Sequence, residues 1–392
     1  MKHFAVGVLI TVALLAGTER AAFAQSSVTD IISFLVTNQS IPTGDAARDR
    51  EAAEVARDTI TRALVVNLAS VPIATSSSGF LYRLNPQLGT VERATQSFGG
   101  FFVERAFAPG NGRASFGLSA STSSFNRLDD QDLRDGTFLT TGRRLAGDPT
   151  PFETDTLTLR VHTSTMTAFA SVGVSDRLEV GAAVPFVRLE VKGQRVSVYR
   201  GVTALQASGS ATATGVADAA LRAKYTLVSA HDGGAAIAAE FRLPTGNEEN
   251  LLGAGKTGLR VFGIGALERG PLMLSGNAGI VRGGVSDEFN AGAAAAVAVH
   301  PRLSLTAEFL TRRVDELRPL ALSAQPHPTL IGVETIRLIG DETGGRTLAA
   351  GITGFKWNPG GTVVIGANVR WSFTKTGLTA PLTPAVALEY GF

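Results

Sequence analysis

Apolar and polar residues alternate along much of the C-terminal half of the chain. In 363–373 every odd position is apolar, and small or polar residues such as Asn368 and Arg370 occupy most even positions. A similar alternation occurs in four other segments, at 113–120, 218–227, 237–243 and 303–312. An apolar–polar alternation with a period of two residues predicts β-strands whose two faces meet different surroundings. A shift of one residue would exchange the faces, so the contrast also fixes the register between strands.

The end of the chain shows the same contrast and stops on an aromatic residue. One face carries four apolar side chains, namely Val386, Leu388, Tyr390 and Phe392, and the other carries Glu389 between small residues. This segment resembles the closing strand of bacterial outer-membrane β-barrels. The resemblance implies that the four apolar residues are an assembly signal, read by the barrel-assembly machinery. The alternative is an edge strand of a soluble sheet that ends on Phe.

Short turns rich in Gly, Pro and Asn alternate with four longer polar loops, at 129–152, 194–212, 244–256 and 314–345. Outer-membrane barrels have this asymmetry between periplasmic turns and extracellular loops. We therefore predict an all-β fold, a transmembrane antiparallel β-barrel over 80–392 with about fourteen strands of membrane-spanning length. Twelve strands is the alternative, because 80–108 alternates less regularly. The alternation changes phase near Thr165 and Pro185, which predicts bulges or strands that extend beyond the membrane.

The N-terminal part of the chain has a different pattern. Residues 1–24 combine a basic start, an apolar run and a small-x-small site at Ala22 and Ala24, which predicts a signal peptide. We expect export to the outer membrane of a Gram-negative bacterium. The apolar run is shorter than the ~20 residues of a membrane-spanning helix.

Residues 25–79 form a separate helical segment in our interpretation. The stretch 45–68 lacks Pro and Gly, has apolar residues at helical spacing and begins with Asp45 as a candidate N-cap. The segment is either a plug for the barrel, paired with lumen charges such as Arg222, Glu240 and Arg370, or a periplasmic leader.

Composition excludes several kinds of site. The chain has no cysteine, so it has no disulfide, thiolate nucleophile or Cys-based metal site, and its net charge of +2 does not favour nucleic-acid binding. The histidines lack metal-ligand spacing. His162, close to Ser164, resembles the His and Ser pairs of outer-membrane hydrolases, but we interpret it as a polar residue facing the lumen. We expect no metal, no cofactor and no catalytic residue.

A set of polar residues shares the predicted inner face and carries charges of both signs. These candidate lumen-lining residues are Arg222, Lys224, Glu240, Arg242, Asn277, Asn290, Glu308, Arg312, Asn368, Arg370 and Glu389. They could form ion pairs between neighbouring strands around a pore, or seal the interior completely. The sequence pattern leaves both possibilities open.

The segment 242–253 carries Leu-Pro-Thr-Gly after a strand, then acidic residues and a Gly before the next strand. With 276–279 and 309–314, it resembles the transporter-like outer-membrane barrel family named for a meta-pathway of phenol degradation. The resemblance covers about 100–392. It implies passive uptake of small hydrophobic or aromatic compounds. A non-conducting structural or surface-binding barrel is the alternative, and an outer-membrane lipid hydrolase is third. Expected partners are membrane lipid and a small solute, and the oligomeric state is open.

Overall fold

The computed structural model describes residues 27–37, 39–69, 82–85, 90–93, 96–230, 232–340 and 344–392. The predicted signal peptide, 1–24, lies outside these residues. Within the described part of the chain, no helix is both long enough and apolar enough to cross a bilayer.

The structure contains two helices and a set of antiparallel strands. The helices are α1 (Val28–Thr37) and α2 (Ala46–Ala69). The strands are β1 (Tyr82–Asn85), β2 (Thr90–Arg93), β3 (Ala114–Phe125), β4 (Arg127–Leu128), β5 (Gln131–Asp132), β6 (Phe138–Leu145), β7 (Pro151–Gly173), β8 (Leu178–Tyr199), β9 (Val202–Val216), β10 (Ala220–Ala230), β11 (Gly233–Arg242), β12 (Gly258–Arg269), β13 (Leu272–Gly283), β14 (Glu288–His300), β15 (Leu303–Val314), β16 (Leu320–Pro326), β17 (Val333–Gly340), β18 (Arg346–Gly360), β19 (Val363–Ser372), β20 (Leu378–Thr379) and β21 (Thr383–Gly391).

Twelve strands close into a barrel. From β3 the order runs through β21, β19, β18, β15, β14, β13, β12, β11, β10 and β8 to β7, which pairs with β3 again. The fold class is confirmed, and the strand number is the predicted alternative, twelve, rather than fourteen. The count of fourteen was too high because 96–107 lies inside the barrel, and because β6, β9, β16 and β17 belong to an extension of the sheet.

The outer face of the barrel is apolar and the inner face is polar. On β21, Leu388 and Tyr390 are each 49% exposed, whereas Glu389 between them is 5% exposed. Such a wall suits lipid outside and polar contacts inside, and a closed barrel leaves no unpaired strand edge in the hydrocarbon. The protein is therefore an outer-membrane β-barrel. We call the end with the long loops extracellular, and the end with Phe392 periplasmic.

Strands β7 and β8 extend far beyond the barrel. They have 23 and 22 residues, about twice the length of a tilted transmembrane strand. Their pairing is continuous from Thr154 to Gly173 without a register shift, so the predicted phase change is an extension and not a bulge. On the extracellular side, β6, β17 and β16 join β7, and β9 joins β8. We call these six strands the extracellular sheet.

The polarity of the two faces inverts where β7 and β8 leave the membrane. In the barrel, β7 points Thr167 and Ser171 inward and exposes Met166 outward. Beyond it, Leu157, Leu159 and Val161 are buried on the inner face. The backbone keeps one register while its surroundings change. The inner face of the extracellular sheet packs against α1 and α2, and its outer face meets water.

Both helices dock on the extracellular sheet. Helix α2 matches the predicted helix, and Asp45 is its N-cap, accepting the Arg48 backbone N–H at 3.1 Å. Helix α1 was not predicted. Its last carbonyls, on Leu35 and Val36, accept hydrogen bonds of 3.2 and 3.1 Å from the fully buried guanidinium of Arg195. Arg195 also pairs with Asp155 at 3.2 Å, so this strand residue fixes the end of α1.

The predicted pairing of α2 with lumen charges is wrong. Its Asp49 pairs with Arg337 at 2.7 Å, and its Arg62 pairs with Glu316, both in the 314–345 region at the extracellular end. Its apolar residues, such as Ile60 and Leu64, join the core formed with α1 and the extracellular sheet. Burial of this apolar face against the extracellular sheet holds the helix outside the membrane region.

Replacing Gly193 with Val should undock α1 while leaving the barrel folded. A Cβ at Gly193 would lie 2.3 Å from Leu35 Cδ1 and 2.8 Å from Leu159 Cδ2, so the added methyl groups have no space. Limited proteolysis of the folded barrel should then cleave 27–69 at least several-fold faster. Gly265→Val is the control, because a Cβ there meets no atom within 4 Å. Equal cleavage of both variants would contradict this packing.

The assembly role of the closing strand remains a prediction. Tyr390→Asp places a charge on the lipid face, and deletion of Phe392 removes an exposed terminal ring. Both changes should leave most of the chain unassembled, whereas Tyr390→Phe should assemble normally. Cell fractionation and heat-dependent gel migration measure this difference. Normal insertion of both altered chains would refute the role.

Candidate functional site

The candidate site is the barrel lumen, and all eleven predicted lining residues project into it. They lie on β10 (Arg222, Lys224), β11 (Glu240, Arg242), β13 (Asn277), β14 (Asn290), β15 (Glu308, Arg312), β19 (Asn368, Arg370) and β21 (Glu389). Each is buried or half-buried, while its neighbours in sequence point outward. Period two alone located these side chains because the wall strands are regular.

The lumen is filled by a loop that the sequence did not predict. Residues 96–107, which we call the plug, enter from the periplasmic end, where the Gln96 N–H donates to Glu268 at 2.9 Å and the Phe98 N–H donates to Ser304 at 2.9 Å. The chain returns to the same end past Thr226, whose hydroxyl donates to the Ala106 carbonyl at 2.9 Å. The plug buries Phe98, Phe101 and Val103.

A single carboxylate holds the tip of the plug. Glu308 accepts the backbone N–H groups of Phe101, Phe102 at 3.0 Å and Val103 at 2.9 Å. Lys356 donates to the Gly100 carbonyl, and its ammonium lies 4.6 Å from the centre of the Phe101 ring. Wall side chains therefore satisfy backbone groups that the loop cannot pair within itself.

Charges in the wall are paired across strands and with the plug. Arg222 pairs with Glu104 of the plug, and Lys224 pairs with Glu179 at 2.7 Å. Arg242 pairs with Glu240 at 2.9 Å, and Arg312 pairs with Glu288 at 2.7 Å. Sequence reasoning missed Glu179, Glu288 and Lys356, although the same alternation places each of them on an inner face. It missed Glu104 because the plug has no strand pattern.

A cavity lies between the plug and the C-terminal turn of α2. Its empty volume, which includes space open to solvent, is about 1050 Å³, and its lining includes Asn67 of α2, Phe101 and Phe102 of the plug, and Ser121 and Arg370 of the wall. The Asn67 side chain donates to the Leu378 carbonyl at 3.0 Å, which holds the end of α2 over the extracellular opening. The lumen is thus covered from one end by the plug and from the other by α2.

The predicted inward orientation of His162 is wrong. His162 lies on the outer face of β7, on the part that extends from the membrane, because the inward positions there are Val161 and Thr163. Its Nδ1 is 3.0 Å from the Ser124 hydroxyl, and its Nε2 is 3.2 Å from the Thr122 hydroxyl. Ser164 is farther, at 3.5 Å from Nε2. Hydroxyl groups of a polar outer surface therefore account for this histidine.

Comparisons with known proteins give only distant structural likenesses. No family model matches the sequence, and no curated protein matches it. The structure is similar to an outer membrane channel from Pseudomonas putida F1, with 11% identity and a TM-score of 0.47, over 73% of this chain and 98% of that one. It is also similar to the toluene transporter TbuX of Ralstonia pickettii, with 13% identity and a TM-score of 0.28, over 72% of this chain and 90% of that one. A FadL homologue of Pseudomonas aeruginosa has 9% identity and a TM-score of 0.34, over 72% of this chain and 90% of that one.

The assignment of the fold rests on the barrel itself. Its closed wall, apolar exterior and polar, plugged interior make the chain a β-barrel of the bacterial outer membrane.

Replacing Glu308 with Ala should loosen the plug. The change leaves three backbone N–H groups of the tip without their acceptor, and each such loss costs roughly 1–3 kcal/mol. The chain has no cysteine, so Phe102→Cys provides a single reactive thiol in the plug. In the Glu308→Ala background, we expect maleimide to label this thiol about tenfold faster or more.

Glu190→Ala is the matched control, because Glu190 lies on the exposed outer face and pairs with Arg188. Labelling that is equally slow in both backgrounds would show that Glu308 does not retain the plug.

Proposed function

We propose that this protein is an outer-membrane channel for passive uptake of small hydrophobic or aromatic compounds, kept closed at rest by the plug. The observation that carries the proposal is the cavity between the plug and α2, which is lined by aromatic rings and hydroxyl groups. A concave space with aromatic surface and a few polar groups is typical of small-molecule sites. A barrel that served only as a wall would gain more stability from a filled interior.

The composition of the cavity supports the solute class. Phe101 and Phe102 of the plug and Phe125 of β3 contribute aromatic surface, and serine and threonine hydroxyls of β3 and β7 contribute polar contacts. Such a mixed lining suits a flat apolar solute, because the rings contact its faces and the hydroxyl groups supply a few polar contacts. We propose no catalytic role for any residue of the site.

The way the plug is held supports opening. The wall binds it through side chains, including Glu268, Ser304 and Glu308, and these can rearrange without breaking the ladders between wall strands. A loop held in this way can leave the lumen while the barrel stays intact.

Replacing 97–106 with a short Gly-Ser linker should open the channel. The barrel should still insert, because no wall strand is changed. Single-channel conductance in planar bilayers, and toluene uptake by the same protein in lipid vesicles, should both rise several-fold above the full-length protein. A chain that lacks 27–69 but keeps the plug is the control for the extracellular cover. Unchanged conductance and uptake in the linker variant would contradict the channel.

A non-conducting surface-binding barrel is the second candidate, and one observation favours it. The loop between β16 and β17 carries Ile331 fully exposed beside exposed Leu330, on the extracellular sheet. Apolar residues at such a tip suit contact with another surface. The lipid hydrolase is less favoured, because both nitrogens of His162 meet hydroxyl groups, and its cross-strand neighbour Glu190 pairs with Arg188 instead. A hydrolase histidine needs an acceptor that orients it.

A further inference from the structure

Arg370 is a lumen cation that has no anionic partner among the described residues. Arg222, Lys224 and Arg312 each pair with a carboxylate of the wall or plug. Arg370, on the inner face of β19, pairs with none in the part of the chain that the structure describes. Its charged neighbour is Arg312, which is itself a cation and is already held by Glu288 through two hydrogen bonds.

An enclosed cation without an anion is unfavourable, because protein dipoles replace only part of its hydration. In a soluble loop, water would solve this problem. Arg370 instead lies in a lumen that the plug and α2 cover from both ends. A guanidinium has five N–H donors in a planar fork, which matches a carboxylate with two parallel hydrogen bonds.

The groups around Arg370 define what kind of anion would fit. Arg370 lines the same cavity as the rings of Phe101 and Phe102 and the hydroxyls of Ser121 and Thr383. The plug therefore contributes aromatic surface, and the wall contributes the cation, the hydroxyls and the ring of Phe125. Offset or edge-to-face contact with these rings would stabilise a flat aromatic ligand.

Two other charged residues line the cavity, and both are already engaged. The guanidinium of Arg242 pairs with Glu240 at 2.9 Å. The carboxylate of Asp218 accepts the backbone N–H groups of Gly246 at 3.0 Å and Ala254 at 2.7 Å. Arg370 is therefore the charged side chain of the cavity whose hydrogen-bonding groups remain for a ligand.

We propose that the cavity binds a small aromatic carboxylate, with the carboxylate on Arg370 and the ring against Phe101 and Phe102. The inference rests on the proposed function and narrows it, because it selects aromatic anions among the small aromatic compounds. Arg370 is then the residue that determines specificity, and the plug supplies half of the binding site that it closes.

Equilibrium binding to the purified, detergent-solubilised full chain tests this site. The probes are benzoate, benzyl alcohol, which keeps the ring without the charge, and acetate and inorganic phosphate, which keep the charge without the ring. We expect the wild-type protein to bind benzoate at least tenfold more tightly than the other three. In Arg370→Gln, benzoate binding should weaken about tenfold or more, and benzyl alcohol binding should change less than twofold.

Two further variants complete the experiment. Arg370→Lys keeps the charge and should retain the preference for benzoate over benzyl alcohol. Arg313→Gln is the matched control, because Arg313 is exposed and lies 3.9 Å from Asp315 outside the lumen, so it should bind every probe like the wild type. Heat-dependent gel migration verifies folding of each variant. If Arg370→Gln fails to fold, the four-probe comparison on the wild type decides the matter.

Three results would overturn the site: benzoate binding that is unaffected in folded Arg370→Gln, no preference of the wild type for benzoate over benzyl alcohol, or equally tight binding of acetate or phosphate. Uptake into lipid vesicles separates this inference from the channel. Binding that depends on Arg370, without uptake of any solute by the linker variant, would uphold the site and refute the channel. Uptake of benzoate and benzyl alcohol at rates that do not depend on Arg370 would uphold the channel and refute the site.

Discussion

The structure depends on a change of solvent along two continuous strands. Between Thr154 and Gly173, β7 keeps one register with β8, yet the inner face passes from polar in the barrel to apolar in the extracellular sheet. In the barrel, the apolar face is turned outward to lipid. In the extracellular sheet, the apolar face is turned inward and packs against α1 and α2. Because the backbone ladder is unbroken, the membrane wall and the soluble core are one rigid sheet. The helices therefore have a fixed position over the lumen.

The same constraint explains how a charged interior is tolerated. Polar side chains of the wall that the plug covers must be paired, because contact with the plug removes their hydration. The plug is part of that pairing: its Glu104 meets Arg222, and its backbone N–H groups meet Glu308. Wall and plug thus satisfy each other. The interior is closed by mutual polar contacts and by a few buried rings, and the guanidinium of Arg370 has no anionic partner among the described residues.

Sequence reasoning predicted the features that depend on local periodicity. The faces of the wall strands, the helix that begins after Asp45 and the outward face of the closing strand all follow from spacing alone. The plug could not be found in this way, because 96–107 takes its position from wall residues that are 207 positions away at Glu308 and 256 positions away at Lys356. The apparent phase change near Thr165 has a similar cause. The two-residue period of the strand continues, but its inner face becomes apolar where the strand leaves the barrel.

Helix α2 and the plug cover the two ends of the lumen, and they are held by different kinds of interaction. We expect the plug to be the cover that moves. Helix α2 belongs to a large apolar core with α1, β7 and β8, and Arg195 and Asp155 tie that core together through a buried ion pair. Moving α2 would expose this core to water, which is costly. The plug buries fewer apolar residues and is held by side-chain hydrogen bonds that a polar lumen can re-form with water. In the proposed channel, a solute entering past the edge of α2 would therefore meet a fixed vestibule first and a displaceable loop second, and the proposed binding cavity lies between them.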